Sequence, residues 1–185
     1  METTKYLDAF PEWLTTLGAD AQNLASLLRT DGVPDATRQA VAGGLNYLFQ
    51  SLDLIPDGIE DLGFLDDAFV LRVAADLAAR NDLEAVDETA VSTVERLAGE
   101  CELVREFLND DYDRFETYVK GLVTTKARGR ATPEILADAG VRDTFVSEVD
   151  GFASEYEAPV FHKEEKNLIK LRAFFDARLP RKPLL

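Results

Sequence analysis

The spacing of apolar residues constrains the fold of this chain more than any other feature. Between Val86 and Leu122, apolar residues recur at intervals of three and four, which places them along one side of an α-helix. This pattern predicts either one long helix or two nearly collinear helices. The positions concerned are Ala90, Val94, Leu97, Cys101, Val104, Leu108, Tyr112, Phe115 and Val119.

The N-terminal part of the chain shows the same spacing and predicts two helices. The first is expected to end at Gly18 and the second at Gly32, because glycine commonly terminates helices. Thr3 or Thr4 would cap the first helix, and Pro11 would kink it or delay its start.

A further helix is predicted from Pro34, since proline suits the first position of a helix. It carries Gly43 and Gly44 in its middle, where a neighbouring helix would approach closely. The basic segment 126–131 breaks the helical pattern, and a short helix restarts at Thr132-Pro133-Glu134 and ends at Gly140. Other helices are predicted around Phe69–Leu77, Val141–Phe152 and Leu168–Leu179.

These patterns include no alternating strand, no hairpin turn and no internal repeat. The sequence therefore predicts an all-α fold, a helical bundle of about seven to nine helices. A chain of 185 residues suits one domain, or one domain with an appendage. We expect residues 1–125 to form the main bundle and residues 126–185 to be a C-terminal helical segment packed on it.

The charge of the chain restricts its partners. There are 35 acidic residues against 20 basic ones, a formal net charge of −15, so the surface as a whole would repel nucleic acid. One cysteine excludes an intrachain disulfide, and we expect a cytoplasmic protein. One cysteine and one histidine cannot build a zinc site. The sequence predicts no signal peptide and no transmembrane segment.

The stretch SLDLIPDGIEDLGFLDDAF, residues 51–69, is the most unusual part of the sequence. It holds six carboxylates within an apolar run. Pro56, Gly58 and Gly63 interrupt the helical pattern and predict a turn-rich connection at residues 51–66. The apolar residues are too many for a solvated loop, so we expect this connection to pack into the core.

A structural interpretation explains the acids of this stretch without a ligand. Backbone N–H groups in a packed loop need acceptors, which short aspartate side chains supply. Asp53 and Asp57 would form Asx turns, and Asp66 or Asp67 would cap the next helix. The acidic pair at 60–61 would face water.

An alternative interpretation makes the same acids a cation site. If Asp53, Asp57, Asp66 and Asp67 converge, they raise one another's pKa unless a cation joins them. Mg²⁺ and Ca²⁺ prefer oxygen ligands of this kind. The spacing does not match the EF-hand loop. This interpretation predicts a divalent-cation-binding protein or a metal-dependent hydrolase with Mg²⁺ or Ca²⁺ as its cofactor.

The same stretch resembles the YkvA-like family, a bacterial and archaeal domain of unknown function. The resemblance covers about residues 41–75, although Leu52 stands where a proline is common in that family. It implies a prokaryotic source but no established activity, substrate or cofactor. Many relatives also have apolar, membrane-like helices beside the motif, which this chain lacks. The residues that carry the resemblance are Tyr47, Asp53, Pro56, Asp57, Gly63, Asp66 and Asp67.

The C-terminal residues 162–185 differ in charge from the rest of the chain, with seven basic residues and three acidic ones. Their apolar stripe, around Leu168, Leu171, Phe174 and Phe175, is expected to pack on the acidic bundle. The alternative is that this basic helix docks on a membrane surface. His162, at the start of this segment, is expected to be a surface residue.

Three functions are therefore open. The one we favour is a non-enzymatic protein-interaction module whose partner is a protein. The alternatives are a divalent-cation-binding protein or hydrolase that uses the four aspartates, and a peripheral membrane protein that docks through residues 162–185.

Overall fold

The structure is a computed structural model that describes residues 3–181. Across these residues it contains eight α-helices, two 3-10 segments and no strand, which confirms the predicted all-α bundle of seven to nine helices. The 3-10 segments are Asn109–Asp111 and Leu122–Thr124. The α-helices are α1 (Thr4–Ser26), α2 (Asp35–Tyr47), α3 (Leu65–Ala79), α4 (Glu88–Leu108), α5 (Tyr112–Gly121), α6 (Thr132–Ala137), α7 (Ala139–Glu155) and α8 (Glu165–Arg178).

The two N-terminal helices predicted from the sequence form one helix, α1, so the predicted end at Gly18 is wrong. A Cβ atom at Gly18 would lie 3.3 Å from the carbonyl oxygen of Ala153 in α7. Gly18 therefore allows close contact between two helices and does not terminate one. Pro11 also lies inside α1.

The predicted cap of α1 is only partly right. Thr3 occupies the N-cap position, but its side chain makes no capping hydrogen bond. Its hydroxyl instead donates to Glu165 Oε1 of α8 at 2.9 Å. Gly32 adopts a φ of +78° in the turn after α1, a conformation that favours glycine.

The close approach predicted at Gly43 and Gly44 is confirmed. A Cβ atom at Gly44 would lie 2.6 Å from the Cβ of Ala74 in α3, which leaves no room for a larger residue. A Cβ atom at Gly43 would lie 3.3 Å from the backbone nitrogen of Val123. The two glycines therefore let α2 pack against α3 on one side and the second 3-10 segment on the other.

The helical pattern between Val86 and Leu122 corresponds to two helices, α4 and α5. They separate at Asn109, whose φ of +47° is incompatible with a continuous helix. The predicted end of α6 at Gly140 is wrong. That helix ends at Ala137, and Asp138 then caps α7 by accepting a hydrogen bond from the Val141 N–H at 2.9 Å.

The central element is α3, which packs against α1, α2, α4 and α5. Twelve of its fifteen residues are buried, so three of its four charged residues, Asp66, Asp67 and Arg72, lie inside the core. Its Phe69 stands in a cluster of aromatic rings, with centroid distances of 5.1 Å to Phe10 and 5.3 Å to Phe175.

The stacking of Phe175 on Phe69 brings α8 into the core. Leu168 and Leu171 of the same helix are also buried, and Phe174 packs partly against them. The expectation that the apolar stripe of α8 faces the bundle is therefore confirmed. The part of the predicted C-terminal segment at 182–185 lies outside the described residues.

No helix within residues 3–181 is both long enough and apolar enough to cross a membrane.

Candidate functional site

The connection between α2 and α3 packs against the core, as predicted. Leu54, Ile55 and Leu62 are buried, although the segment has no regular secondary structure. Leu52 is the exception, because 85% of it is exposed. The connection therefore combines buried apolar side chains with one exposed apolar side chain.

Two side chains from the flanking helices anchor this backbone. The Tyr47 hydroxyl, at the end of α2, accepts a hydrogen bond from the Leu54 N–H at 2.7 Å. Asp66 Oδ2, in the first turn of α3, accepts from the Ile55 N–H at 3.0 Å and from the Tyr47 hydroxyl at 2.5 Å. Two successive buried N–H groups thus find acceptors that are side chains.

Asp66 accepts a backbone hydrogen bond, as expected, but the donor is not a neighbouring residue. No Asx turn forms at Asp53 or Asp57. The N-cap of α3 is Phe64, with a φ of +66° and no side-chain capping bond, so the predicted cap by Asp66 or Asp67 is wrong. Asp66 instead joins α3 to a residue eleven positions earlier.

Gly63 and Pro56 shape the turn that follows. A Cβ atom at Gly63 would lie 2.2 Å from the carbonyl oxygen of Asp57, so only glycine fits where these two backbone segments meet. The Pro56 carbonyl accepts from the Ile59 N–H at 2.9 Å, and the Ile59 carbonyl accepts from the Gly63 N–H at 2.9 Å. The turn is consequently tight and closed by its own backbone.

The structure brings Asp53, Asp57, Asp66 and Asp67 close enough to affect one another electrostatically; we call them the aspartate cluster. Burial, together with the charges of Asp66 and Asp57, raises the pKa of Asp53 to about 7. Burial also raises the pKa of Asp57. The four carboxyl groups therefore interact through their charges, and their convergence on a cation stays a prediction.

The two buried members of the cluster are Asp66 and Asp67, at 0% and 3% exposure. Burial raises the pKa of Asp66 to about 6, although its hydrogen bonds from Tyr47 and Ile55 lower it. Burial raises the pKa of Asp67 well above its ordinary value, and Asp66 is the largest contributor among the neighbouring charges. The cluster thus retains protons at pH values at which exposed aspartates are ionised.

Each of these two side chains also has an oxygen that lacks a hydrogen-bond partner. Asp66 Oδ1 and Asp67 Oδ2 are both enclosed by protein, and neither has a donor among the described residues. An ionised oxygen in this position is costly, because it has lost water and gained no donor. A proton or a cation would remove that cost.

The geometry does not form a ready coordination sphere. Within residues 3–181, no group of three or more His, Cys, Asp or Glu side chains is arranged to hold a metal ion. The four predicted ligands interact through their charges, but their oxygens do not surround a common point.

Two tyrosines lie beside the cluster, and no pattern in the sequence predicts their position there. Burial raises the pKa of Tyr118 to about 12, with Asp66 and Asp53 adding to the effect. Burial also raises the pKa of Tyr156, whose hydroxyl donates to the Leu14 carbonyl at 2.8 Å. They belong to α5 and the end of α7, so only the tertiary fold reveals them.

The expectation that Asp61 faces water is wrong. Asp61 Oδ1 accepts a hydrogen bond from the His162 N–H at 3.0 Å and lies 2.6 Å from His162 Nδ1. His162 is exposed, as expected, and its carbonyl accepts from the Asn167 side chain at 2.9 Å. The connection is thereby tied to the segment that leads into α8.

A second buried charged group lies further along α3, and sequence reasoning missed it. Arg72 is fully buried, with Nη2 at 2.6 Å from Glu100 Oε2 and 3.9 Å from Asp20 Oδ2. Its guanidinium stacks 3.9 Å above the Trp13 ring, and Arg96 also pairs with Asp20. We call Asp20, Arg72, Arg96 and Glu100 the Arg72 network.

Comparison with known proteins bears on this region alone. A family model described as a protein of unknown function, DUF1232, matches residues 37–72. The match spans most of α2, the whole connection and the first half of α3, and it includes Tyr47, Gly63 and the complete aspartate cluster. No curated protein and no solved structure matches the chain. The similarity thus supports a domain of unknown function over about a fifth of the sequence.

Proposed function

We propose that this chain is a non-enzymatic helical module that binds another protein through the tip of its α2–α3 connection. The supporting observation is the position of Leu52. Its side chain is 85% exposed, while the N–H groups of Leu54 and Ile55 are fixed by Tyr47 and Asp66. An apolar side chain on a preordered backbone loses little conformational entropy on binding.

The burial of Asp66 and Asp67, two of the four aspartates, supports a non-enzymatic role. A catalytic carboxyl has to reach its substrate, whereas Asp66 and Asp67 are 0% and 3% exposed. Five surface cavities of about 360 to 530 Å³ lie elsewhere on the described residues, and no member of the aspartate cluster lines any of these five. In this proposal the cluster and Tyr47 serve to fix the connection.

The test is photocrosslinking in the cell that produces the protein. A photoreactive amino acid at position 52 is compared with one at the exposed Glu95 of α4. We expect a discrete crosslinked protein from position 52 alone, identified by mass spectrometry. Leu52→Ser should lose that partner in copurification while its melting temperature stays unchanged. Equal crosslinking from both positions, or full retention of the partner by Leu52→Ser, would refute the proposal.

A divalent cation site is the second candidate. It is favoured by the unpartnered oxygens of Asp66 and Asp67 and by the raised pKa values of the cluster. Side-chain rotation would have to bring Asp53 and Asp57 towards them, and Mg²⁺ or Ca²⁺ would then neutralise the group. A hydrolytic role would additionally need an open position on the metal.

Metal content by mass spectrometry and thermal melting with EDTA test this candidate. The natural sequence is compared with the double variant Asp66→Asn, Asp67→Asn. Stoichiometric metal that the variant loses, together with a melting temperature that EDTA lowers, would establish the cation site. A metal-free protein with an EDTA-insensitive melt would eliminate it.

The membrane-docking alternative has less support, because Leu168, Leu171 and Phe175 are buried in the bundle. Four other expectations remain part of this proposal. They are the YkvA-like identification of residues 41–75, a division of the chain between residues 125 and 126, a prokaryotic source and a cytoplasmic location. None of them alters the two experiments above.

A further inference from the structure

A surface cavity that no member of the aspartate cluster lines lies where α2, α6 and the first turn of α7 meet. Its volume is about 360 Å³, within the range of sites for small molecules. Arg38 of α2 and Arg142 of α7 both line it, together with Thr132 at the start of α6. The cavity thus brings two guanidinium groups and a hydroxyl to one place.

Neither guanidinium has a carboxylate partner. Among residues 3–181, no carboxylate oxygen lies within 4.0 Å of Arg38 or Arg142, although the chain carries a net charge of −15. Arg38 Nη2 donates to the Thr30 carbonyl at 2.7 Å, which leaves Nη1 open. The terminal nitrogens of Arg142 donate to no protein group within the same residues and reach solvent.

Further donors at this cavity are also unpaired. The Nε atoms of Arg38 and Arg142 and the hydroxyl of Thr132 are enclosed by protein and have no partner among the described residues. Thr132 as a whole is fully buried. Guanidinium groups bind carboxylates through two parallel hydrogen bonds, and such charge-assisted bonds are among the strongest in proteins.

The other wall of the cavity is apolar and consists of Val123, Pro133 and Leu136. Asp35 is the one carboxylate among the lining residues, so the ionised groups there carry two positive charges and one negative charge. This balance suits a singly charged ligand better than a doubly charged one.

We propose that the cavity binds a small organic carboxylate. Its carboxylate would lie between Arg38 and Arg142, and its apolar portion would contact Val123, Pro133 and Leu136. This inference does not depend on the proposed function, since it concerns different residues and a different kind of ligand.

The test uses hexanoate as the probe, with 1-hexanol as its uncharged counterpart. Binding is followed by ¹H–¹⁵N NMR shifts of the full chain. We expect saturable shifts at amides around the cavity, with affinity at least roughly tenfold weaker for 1-hexanol, because it lacks the charge-assisted bonds. The variant Arg142→Gln should weaken hexanoate binding by roughly tenfold or more, for the same reason.

Arg142 is the residue to change because its side chain donates no hydrogen bond to any of residues 3–181, so its replacement should leave the fold intact. Arg178→Gln is the matched control, since Arg178 is exposed on α8 and does not line this cavity. It should bind hexanoate as the natural sequence does. Non-saturable shifts, or equal affinity in Arg142→Gln, would overturn the proposal. Tighter binding of inorganic phosphate that Arg142→Gln abolishes would overturn the carboxylate assignment.

Discussion

The two buried charged regions of α3 differ in the groups that surround their charges. At its first turn, Asp66 and Asp67 lie among other acids, and each has an oxygen without a donor. Six residues later, Arg72 is equally buried, and its Nε and Nη2 also make no hydrogen bond, but it has an opposite charge, Glu100, at 2.6 Å and the Trp13 ring at 3.9 Å. Burial alone therefore does not decide the cost of a charge; the partners that surround it do.

The difference also separates the two regions by their response to pH. Burial lowers the pKa of Arg72 to about 10, while Glu100 and Asp20 oppose that effect, so the guanidinium stays charged at neutral pH. In the aspartate cluster, burial raises the pKa of Asp53 to about 7 and that of Asp66 to about 6. The Arg72 network is thus a fixed ionic contact, whereas the pKa values of Asp53 and Asp66 lie closer to neutral pH than those of exposed aspartates.

The largest expected effect comes from breaking the Arg72 network. Arg72→Met should lower the free energy of unfolding by about 3 kcal/mol, the low end of the cost of a broken buried pair, because Arg96 alone would then offset the charges of Asp20 and Glu100. Urea unfolding measures the loss. The control Arg178→Met changes an exposed arginine and should stay within about 0.5 kcal/mol of the natural sequence. A loss below about 1 kcal/mol in Arg72→Met would show that the network contributes little.

A steric change tests the α2–α3 connection, which belongs to the region of the aspartate cluster. Gly63→Ala should cost about 2 to 3 kcal/mol, because its Cβ would lie 2.2 Å from the Asp57 carbonyl oxygen. Gly58→Ala is the control in the same connection, since a Cβ there meets nothing within 4 Å. It should change stability by less than about 0.5 kcal/mol. Equal effects of the two substitutions in urea unfolding would contradict the tight turn.

Removal of one hydroxyl tests the anchoring of the connection. Tyr47→Phe leaves the buried Leu54 N–H without an acceptor and should cost about 1 to 3 kcal/mol. Amide hydrogen exchange should show reduced protection at Leu54 in particular. Unchanged protection at Leu54 would mean that Tyr47 does not hold the connection in solution.

The smallest effect is expected at the exposed contact between Asp61 and His162. Partial burial raises the pKa of Asp61, but the hydrogen bonds from His162 outweigh this effect and lower that pKa. The contact therefore stabilises the fold above the ordinary pKa of aspartate, and this stabilisation is lost as the pH falls through the lowered pKa. His162→Ala should cost less than about 1 kcal/mol and raise the pKa of Asp61. An NMR titration that finds the same Asp61 pKa in both proteins would rule out the contact.

The sequence predicted what local spacing determines. The apolar periodicity correctly predicted α2, α3 and the core-facing stripe of α8. It failed at Gly18 and Gly140, because each glycine was interpreted as a helix end. Gly18 lies within a helix against Ala153, and Gly140 follows the Asp138 cap of α7.

The candidate site shows the same limit. That Asp66 accepts a backbone hydrogen bond was predictable from the motif, whereas the partner of Asp66 was not, because it depends on how the connection folds back on α3. Arg72 is the one basic residue of α3. Its partners come from α1 and α4, and no local pattern links them to it.

The most direct test of the contrast within α3 is the pH dependence of unfolding for the natural sequence and for Asp67→Asn, with EDTA present. The proton on Asp67 stabilises the fold below the ordinary pKa of aspartate, and this contribution is lost as the pH rises through the raised pKa of the folded protein. The free energy of unfolding of the variant, relative to that of the natural sequence, should therefore increase steadily between about pH 4 and pH 7. A difference that stays constant or decreases over that range would contradict an uncompensated aspartate cluster.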